Sequence, residues 1–416
     1  MAMVHHFKQI SAAAPVLKSL NSPEHELLLC CARTSASGPI TERLRSLSSA
    51  GIDWNYLLKL ARRHSLPPLA YVQLDRYASD LVPPDVLREL KRDYRENAAR
   101  NIVLTSELCH LIKLFAASGI EAIPYKGPVL ALFAYGDLAL RRFVDLDIMV
   151  RKDDVLVARE LLLADGYNAA KSLSLRQQEL LLRTQHNMQF TRDERRVIVE
   201  LHWEVASHLF ASSVQAHELW ESLTTIPLND IVVKTLSAND LLFSLCVHGS
   251  RHLWERLSWI CDVAELINHQ KIDWNGLLER AAKTDSERMI FLGLYLAESL
   301  LDAALPAEVK DRCLADECLL SLATEVREHL FDGPEHVPAT SSEIFKYNFG
   351  VRKSWRSRAR YIFFMLRPTD GDIGSHSLPP GLSFAYYLMR PFRLLFKAKF
   401  EATNRLRFAQ TQNRKR

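Results

Sequence analysis

Two carboxylates two residues apart, Asp145 and Asp147, sit in the mostly apolar run from Phe143 to Val150. On a strand, positions i and i+2 share a face, so the two acids point together. Like charges that close repel, and aspartate is a poor resident of a half-buried strand. A divalent cation between them removes both objections; without one, the pair reads as two solvated acids at a strand end. Glu200 and His202, in Val197-Ile198-Val199-Glu200-Leu201-His202-Trp203, obey the same spacing. If their strand lies beside the first, three carboxylates form a cluster of hard oxygen donors suited to Mg²⁺, with Mn²⁺ as the alternative ion. Two such ions activate an attacking oxygen and stabilise the leaving one in an in-line displacement. The phosphates of a substrate would meet Lys126-Gly127 and Arg141 or Arg142. A loop ending in Gly before a helix offers N–H groups to an anion, Lys126 adds a point charge, and an arginine adds a two-pronged contact.

These residues need elements to hold them. Ile120 to Tyr125 reads as a short strand ending at Lys126-Gly127, and Pro128 to Tyr135 as a helix with Pro near its start. Leu146 to Val150 is a second strand. Asp153-Asp154 caps a helix to about Ala164, and Leu173 to Arg183 reads as another. His186 to Thr191 and Arg196 to Trp203 form two strands joined by a turn at Asp193-Glu194-Arg195. The expected unit is a small mixed sheet over residues 120–230. Helices flank it. Ser22-Pro23-Glu24 starts one with Ser as cap, Asp53-Trp54 precedes another, and Asp85 to Ala117 is a long amphipathic run. Beyond Ser237 the pattern is helical again, through 256–268 and 274–282 to about Phe331.

One downstream helix merits a separate reading. His248, Arg251 and His252 fall at i, i+3 and i+4, so one face can carry all three. This face either covers a bound nucleotide or packs between domains, and Trp254 and Trp259 either stack on a base or fill a core. Asp262 lies in an apolar helix (Ile260, Val263, Leu266) and needs a cationic partner.

The chain has 416 residues and a net charge of +4, unevenly spread. Residues 351–416 hold 15 Lys and Arg against 3 Asp and Glu, a net of +12, which leaves about −8 on the first 350. A basic tail on an acidic body suggests contact with something anionic (nucleic acid, membrane surface or an acidic partner), and reads equally as a solvated basic tail. Its two helices, Ile344 to Leu366 and Ser383 to Phe400, interleave aromatic residues with Arg and Lys around a Pro/Gly-rich loop at 368–381. This reads most simply as a helical cap with snorkelling basic side chains, the alternative being a nucleic-acid or membrane face. The seven cysteines match no zinc spacing and read as reduced core residues. No secretory leader and no apolar run of transmembrane length is seen, so the expected location is cytoplasmic.

Together these residues resemble the uncharacterised-type nucleotidyltransferase family, a bacterial branch of the DNA polymerase β-like superfamily. The resemblance rests on Tyr125-Lys126-Gly127, Arg141, Asp145-Leu146-Asp147 and Glu200-Leu201-His202-Trp203. It extends to the block from His248 to Asp262 and to Ile52-Asp53-Trp54 with Leu60-Ala61-Arg62-Arg63-His64, covering about residues 25–330. It implies an α+β fold in which a mixed-sheet nucleotidyltransferase core is flanked by helical domains. The expected boundaries are 1–21 for an N-terminal tail, 22–119 for a helical region and 120–230 for the core. Residues 231–331 form a helical cover domain and 332–416 the basic region, with a linker at 332–341. The implied function is Mg²⁺-dependent transfer of an NMP from an NTP, ATP among them, to an acceptor that the sequence does not identify. Asp145, Asp147 and Glu200 are the expected catalytic and metal residues. Lys126, Gly127, Arg141, Arg142, His202, His248 and Arg251 are the expected nucleotide-binding ones. Two departures from the superfamily stand out: Lys-Gly replaces its usual Gly-Ser loop, and the third acid is Glu rather than Asp. Glu200 can serve as a metal ligand or as a general base. The alternative is a nucleotide- or partner-binding protein on the same fold without turnover.

Overall fold

The structure is a computed structural model that describes residues 22–169, 174–205, 216–333, 339–367, 385 and 387–394. Its first helices are α1 (Pro23–Cys31), α2 (Gly38–Ser48), α3 (Trp54–Arg63), α4 (Pro67–Ala78) and the long α5 (Pro84–Ala117). Ser22 accepts from the His25 N–H and caps α1 with Pro23 in its first turn; Asp53 accepts from the Tyr56 N–H and caps α3. The Asp53-Trp54 dipeptide is therefore a helix start.

The α/β core follows as β1 (Ala122–Pro124), α6 (Gly127–Tyr135), β2 (Asp145–Val150), α7 (Val155–Ala164), β3 (Asn168–Ala169), α8 (Leu175–Thr184), β4 (Asn187–Arg192) and β5 (Val197–His202). Asp153 and Asp154 lie in a 3₁₀ turn leading into α7, and the Asp154 side chain makes no cap. The sheet order is β1-β2-β5-β4-β3. Central β2 and β5 run parallel, while β1 and β4 pair antiparallel to them, giving the mixed sheet that the pattern implied. Register places Asp147 opposite Glu200 and Met149 opposite His202.

After α9 (Ala216–Glu221) comes a two-stranded ribbon, β6 (Thr224–Leu228) and β7 (Ile231–Thr235), turning at Asn229-Asp230. It spans residue 230, where the sequence pattern ended the core. Ile226, Leu228 and Val233 of the ribbon join the apolar core of the sheet.

The remaining helices are α10 (Ala238–Arg251), α11 (Leu257–His269), α12 (Trp274–Lys283), α13 (Glu287–Leu301), α14 (Ala307–Leu314), α15 (Glu317–Leu330), α16 (Ser341–Gly350) and α17 (Trp355–Leu366). The single helix expected from Ile344 to Leu366 is two. Ser354 accepts from the Ser357 N–H and restarts the helix after a break at 351–354. The 368–381 loop, half of the linker at 332–341 and half of the expected 383–400 helix lie outside the described residues.

Two apolar cores organise the fold. One lies under the sheet, where Leu104, Leu108, Leu111 and Phe115 of α5 meet Leu146, Ile148, Val199 and Leu201. The other is continuous from α1–α4 through α10–α15, so helices far apart in sequence form one body. Polar contacts pin the halves together. Thr34 Oγ1 donates to Glu265 at 2.5 Å, and the Leu257 N–H donates to His64 Nδ1 at 3.1 Å, while the other His64 nitrogen meets the Leu330 carbonyl. His64 thus joins α3 to the start of α11 and the end of α15.

Candidate functional site: a carboxylate–histidine–lysine cluster at the β2–β5 seam

Parallel pairing of β2 and β5 brings together the acids that the i, i+2 spacing had aligned. Asp147, 5% exposed, is the hub. Its Oδ1 accepts from Lys126 Nζ at 3.0 Å and lies 3.1 Å from His202 Nε2. His202 Nε2 is also 3.3 Å from Glu200 Oε2, which accepts from Asn187 Nδ2 at 2.9 Å. Ligand atoms of Asp147, Glu200 and His202 lie within 4.8 Å of one another, close enough to hold one metal ion together.

Gly127 explains how Lys126 reaches this place. Its φ is +54°, a left-handed conformation that opens α6, and a Cβ there would stand 3.3 Å from the Asp145 carbonyl oxygen. The Lys-Gly pair therefore lets the start of α6 pass close over β2, directing Lys126 onto Asp147.

The electrostatics separate the two aspartates. Burial alone would raise the Asp147 carboxyl, but Lys126 and His202 outweigh it and hold it well below the usual carboxylate range. Asp145 is pushed up to about 6, by burial first and then by the charge of Asp147. Among the described residues no hydrogen bond or ion pair reaches the Asp145 carboxylate. Glu200 is lowered by its hydrogen bond with His202. Burial works to lower His202, yet its bonds to Asp147 and Glu200 raise it. Its Nδ1 is buried without a hydrogen-bond partner. Lys126 and Arg141 lower Asp145 only through space; a half-buried acid with no direct ion pair, beside two acids and an imidazole, fits the donor set of a divalent ion.

The outer wall comes from α10. Arg251 Nη1 donates to His186 Nε2 at 2.8 Å, and the His186 ring stands 6.1 Å from that of His202. Burial and the charge of Arg251 hold His186 well below its ordinary value. His248 packs edge-on to Trp259 with ring centres 5.2 Å apart, and His252 lies 4.7 Å from His248. Burial and then the charge of Lys126 hold His248 well below its ordinary value, which places α10 against the cluster. Trp254 is fully buried. Cβ atoms built on Gly249 and Gly293 would fall 2.3 and 2.7 Å from their nearest atoms, the Trp254 ring and Cys246 Sγ respectively. Of the two tryptophans, Trp254 is core and Trp259 belongs to the site wall.

Arg141 and Arg142 part company. Arg141 donates two hydrogen bonds to Asp262, at 2.7 and 2.9 Å, and Tyr135 Oη donates a third at 2.7 Å. This answers the requirement that Asp262 have a cation and ties the core to α11. Arg141 Nη1 remains buried without a partner. Arg142 is exposed and lines a different cleft, of about 440 Å³, with Arg62, Asp93 and Arg100. Sequence reasoning gave no site role to His186 or Asn187, and quoted Tyr125, whose ring stands 5.5 Å edge-on from that of His202, only within Tyr125-Lys126-Gly127. Their only signal is position: Tyr125 precedes Lys126, and Asn187 stands opposite His202.

A small mixed sheet inside a helical frame, with two acids on one strand and a third registered across from Asp147, is consistent with a nucleotidyltransferase core. The sequence model of a family described as uncharacterised nucleotidyltransferase matches residues 50–302, more than half of the chain, and the chain belongs to that family. No curated protein matches it.

Proposed function

We propose that the protein transfers an NMP from an NTP to an acceptor hydroxyl or phosphate and releases pyrophosphate, with Mg²⁺ or Mn²⁺ bound at Asp145, Asp147 and Glu200. The observation that carries this reading is the β2–β5 register, which sets Glu200 across from Asp147, with Asp145 beside them and no described hydrogen bond or ion pair on its carboxylate. Bound there, the ion would neutralise phosphate charge and activate the attacking oxygen.

The chain's own residues supply the rest. Lys126 can turn from Asp147 to a phosphate oxygen when Asp147 is otherwise engaged. Arg251, at the edge of the cluster, and the spare Arg141 donor would supply further contacts to anionic oxygens. His202, held between Asp147 and Glu200, fixes both carboxylates. His248, near Lys126 and Asp147, and the Gly127 backbone, against the Asp145 carbonyl, lie beside the same cluster. The acceptor oxygen bonds to the α-phosphorus as the bond from that phosphorus to the α–β bridging oxygen breaks. Pyrophosphate carries away the electron pair, and the acceptor's proton passes to a base. Catalysis of this kind rests on positioning and charge neutralisation.

The test is incubation with each labelled NTP, Mg²⁺ and a cell extract. Pyrophosphate release with a labelled product supports the reading; saturable NTP binding without turnover contradicts it. Glu200→Gln separates the two roles of that residue: lost Mn²⁺ binding marks a ligand, lost turnover with Mn²⁺ binding intact marks the proton acceptor.

A further inference from the structure

The basic C-terminal region carries a second surface, remote in chemistry from the carboxylate cluster. Helix α17 is two-sided. Ser357 and Tyr361 are buried, with Arg352 lying over the Tyr361 ring at 4.1 Å. Trp355, Ile362 and Phe363 stand outward at 74, 42 and 63% exposure. Positions i, i+7 and i+8 share one helix face, so these three form an apolar row. Helical residues 387–394 add to this row: Leu388 and Phe392, at i and i+4, are 61 and 64% exposed. Arg390 Nε donates to the Met365 carbonyl at 3.4 Å, which makes the two segments neighbours. A tryptophan, two phenylalanines, an isoleucine and a leucine left open on adjacent helices mark an interaction surface.

Charge decides what covers it. Residues 351–367 and 387–394 contain no Asp or Glu, and exposed Arg356 stands beside Trp355. A second copy of this chain would bring the same positive face. Residues 395–416 carry seven Lys and Arg against one Glu, so they repel it too. Nucleic acid would satisfy the arginines and the rings but offers nothing to Ile362, Leu388 and Met389. The head-group region of a bilayer takes aliphatic and aromatic side chains into its acyl boundary and guanidinium groups at its phosphates. No helix among the described residues is long and apolar enough to cross a membrane, so the contact would lie in the interface plane.

We propose that α17 and residues 387–394 dock the protein on an anionic lipid bilayer, with Trp355, Ile362, Phe363, Leu388 and Phe392 inserted and Arg356 at the lipid phosphates. The surface adjoins the candidate active site. Arg367, just past α17, donates to the Arg183 carbonyl at 2.5 Å, three residues before His186. Docking stands whether or not the chain turns over nucleotide.

The experiment is flotation of the full-length protein with phosphatidylcholine vesicles, with and without phosphatidylglycerol. The expected result is flotation that needs the anionic lipid and weakens with salt. The double variant Trp355→Ala/Phe363→Ala should lose roughly tenfold or more of its vesicle partition, because both rings leave the interface. It should keep its circular dichroism and melting temperature, since both side chains are exposed. The proposal is overturned by flotation without anionic lipid dependence, or by a folded double variant that floats like the parent. It is equally overturned if the protein binds an RNA or DNA oligonucleotide but no vesicle. Light scattering that shows a dimer broken by the double variant, with no vesicle binding, would assign the face to a second copy.

Discussion

Lys126 holds the position beside Asp147 where a bound metal's charge would fall, and that makes Lys126→Met an informative change. The ammonium is 3.0 Å from Asp147 Oδ1, on a side chain only 12% exposed. At an effective dielectric constant of about 20, unit charges at that separation interact by roughly 5.5 kcal/mol. A divalent ion on Asp147 must displace this contact and then tolerate a nearby like charge. Removing the ammonium removes both penalties. If even a quarter of that interaction is recovered, about 1.4 kcal/mol, ion affinity rises about tenfold. The assay is Mn²⁺ titration of nucleotide-free protein, by calorimetry or by the electron paramagnetic resonance signal of free Mn²⁺. Lys126→Met should bind Mn²⁺ about tenfold tighter or more, and should bind NTP more weakly because a phosphate contact is gone. Unchanged or weaker Mn²⁺ binding, in a variant with parental unfolding behaviour, would refute the competition.

Other perturbations probe the frame. Gly249→Ala forces a methyl into the Trp254 ring, already fully buried; it should destabilise by about 1–3 kcal/mol or more in urea unfolding, and a neutral result would mean that the indole moves freely. Arg141→Met strands the Asp262 charge, which is 2% exposed, so about 3–5 kcal/mol should be lost. Arg141→Met/Asp262→Leu should recover most of that in a double-mutant cycle. Stability should also fall with pH. His186 and His248 are held well below their ordinary values by burial first, then by Arg251 and Lys126 respectively. The unfolded chain therefore gains protons first as pH drops below about 6.5, and each group removes up to about 1.4 kcal/mol per pH unit there. His202 opposes this, since a raised value stabilises the fold below the unfolded pKa and loses that benefit as pH rises. His25 and His252 are lowered likewise, mainly by burial, while Asp145 and Glu265, raised mainly by burial, act with His202; the four lowered histidines outnumber these three, so urea midpoints should drop between about pH 7 and pH 5. His248→Gln should flatten the drop, and an unchanged slope would contradict the assignment.

Much of this site could be read from the chain alone, for a geometric reason. The i, i+2 rule aligns Asp145 with Asp147 and Glu200 with His202 without any knowledge of the fold. Their meeting depends only on β2 and β5 being neighbours. Gly127 was readable as a loop residue, and its left-handed φ supplies the cause. Contacts between long side chains distant in sequence were not readable. Lys126 lies on Asp147 rather than exposed in its loop, and Asp262 demanded a cation that any of many arginines could have supplied. Arg141 and Arg142 are indistinguishable as neighbours in sequence, yet one is locked to α11 and the other faces another cleft. The β6–β7 ribbon escaped notice because Pro227 breaks the strand pattern. A proline is tolerated at a sheet edge, and Asn229 at φ +52° makes the turn. The helical flanks were seen as separate regions, since nothing local shows that His64 meets Leu257 and Leu330.

The most direct test of the central claim is transfer from an NTP labelled at the α-phosphate, in Mg²⁺ with cell extract, by the parent protein and by Asp147→Asn. The account predicts a labelled product and released pyrophosphate for the parent, and neither for Asp147→Asn folded to the same melting temperature. Equal labelling by both would contradict it.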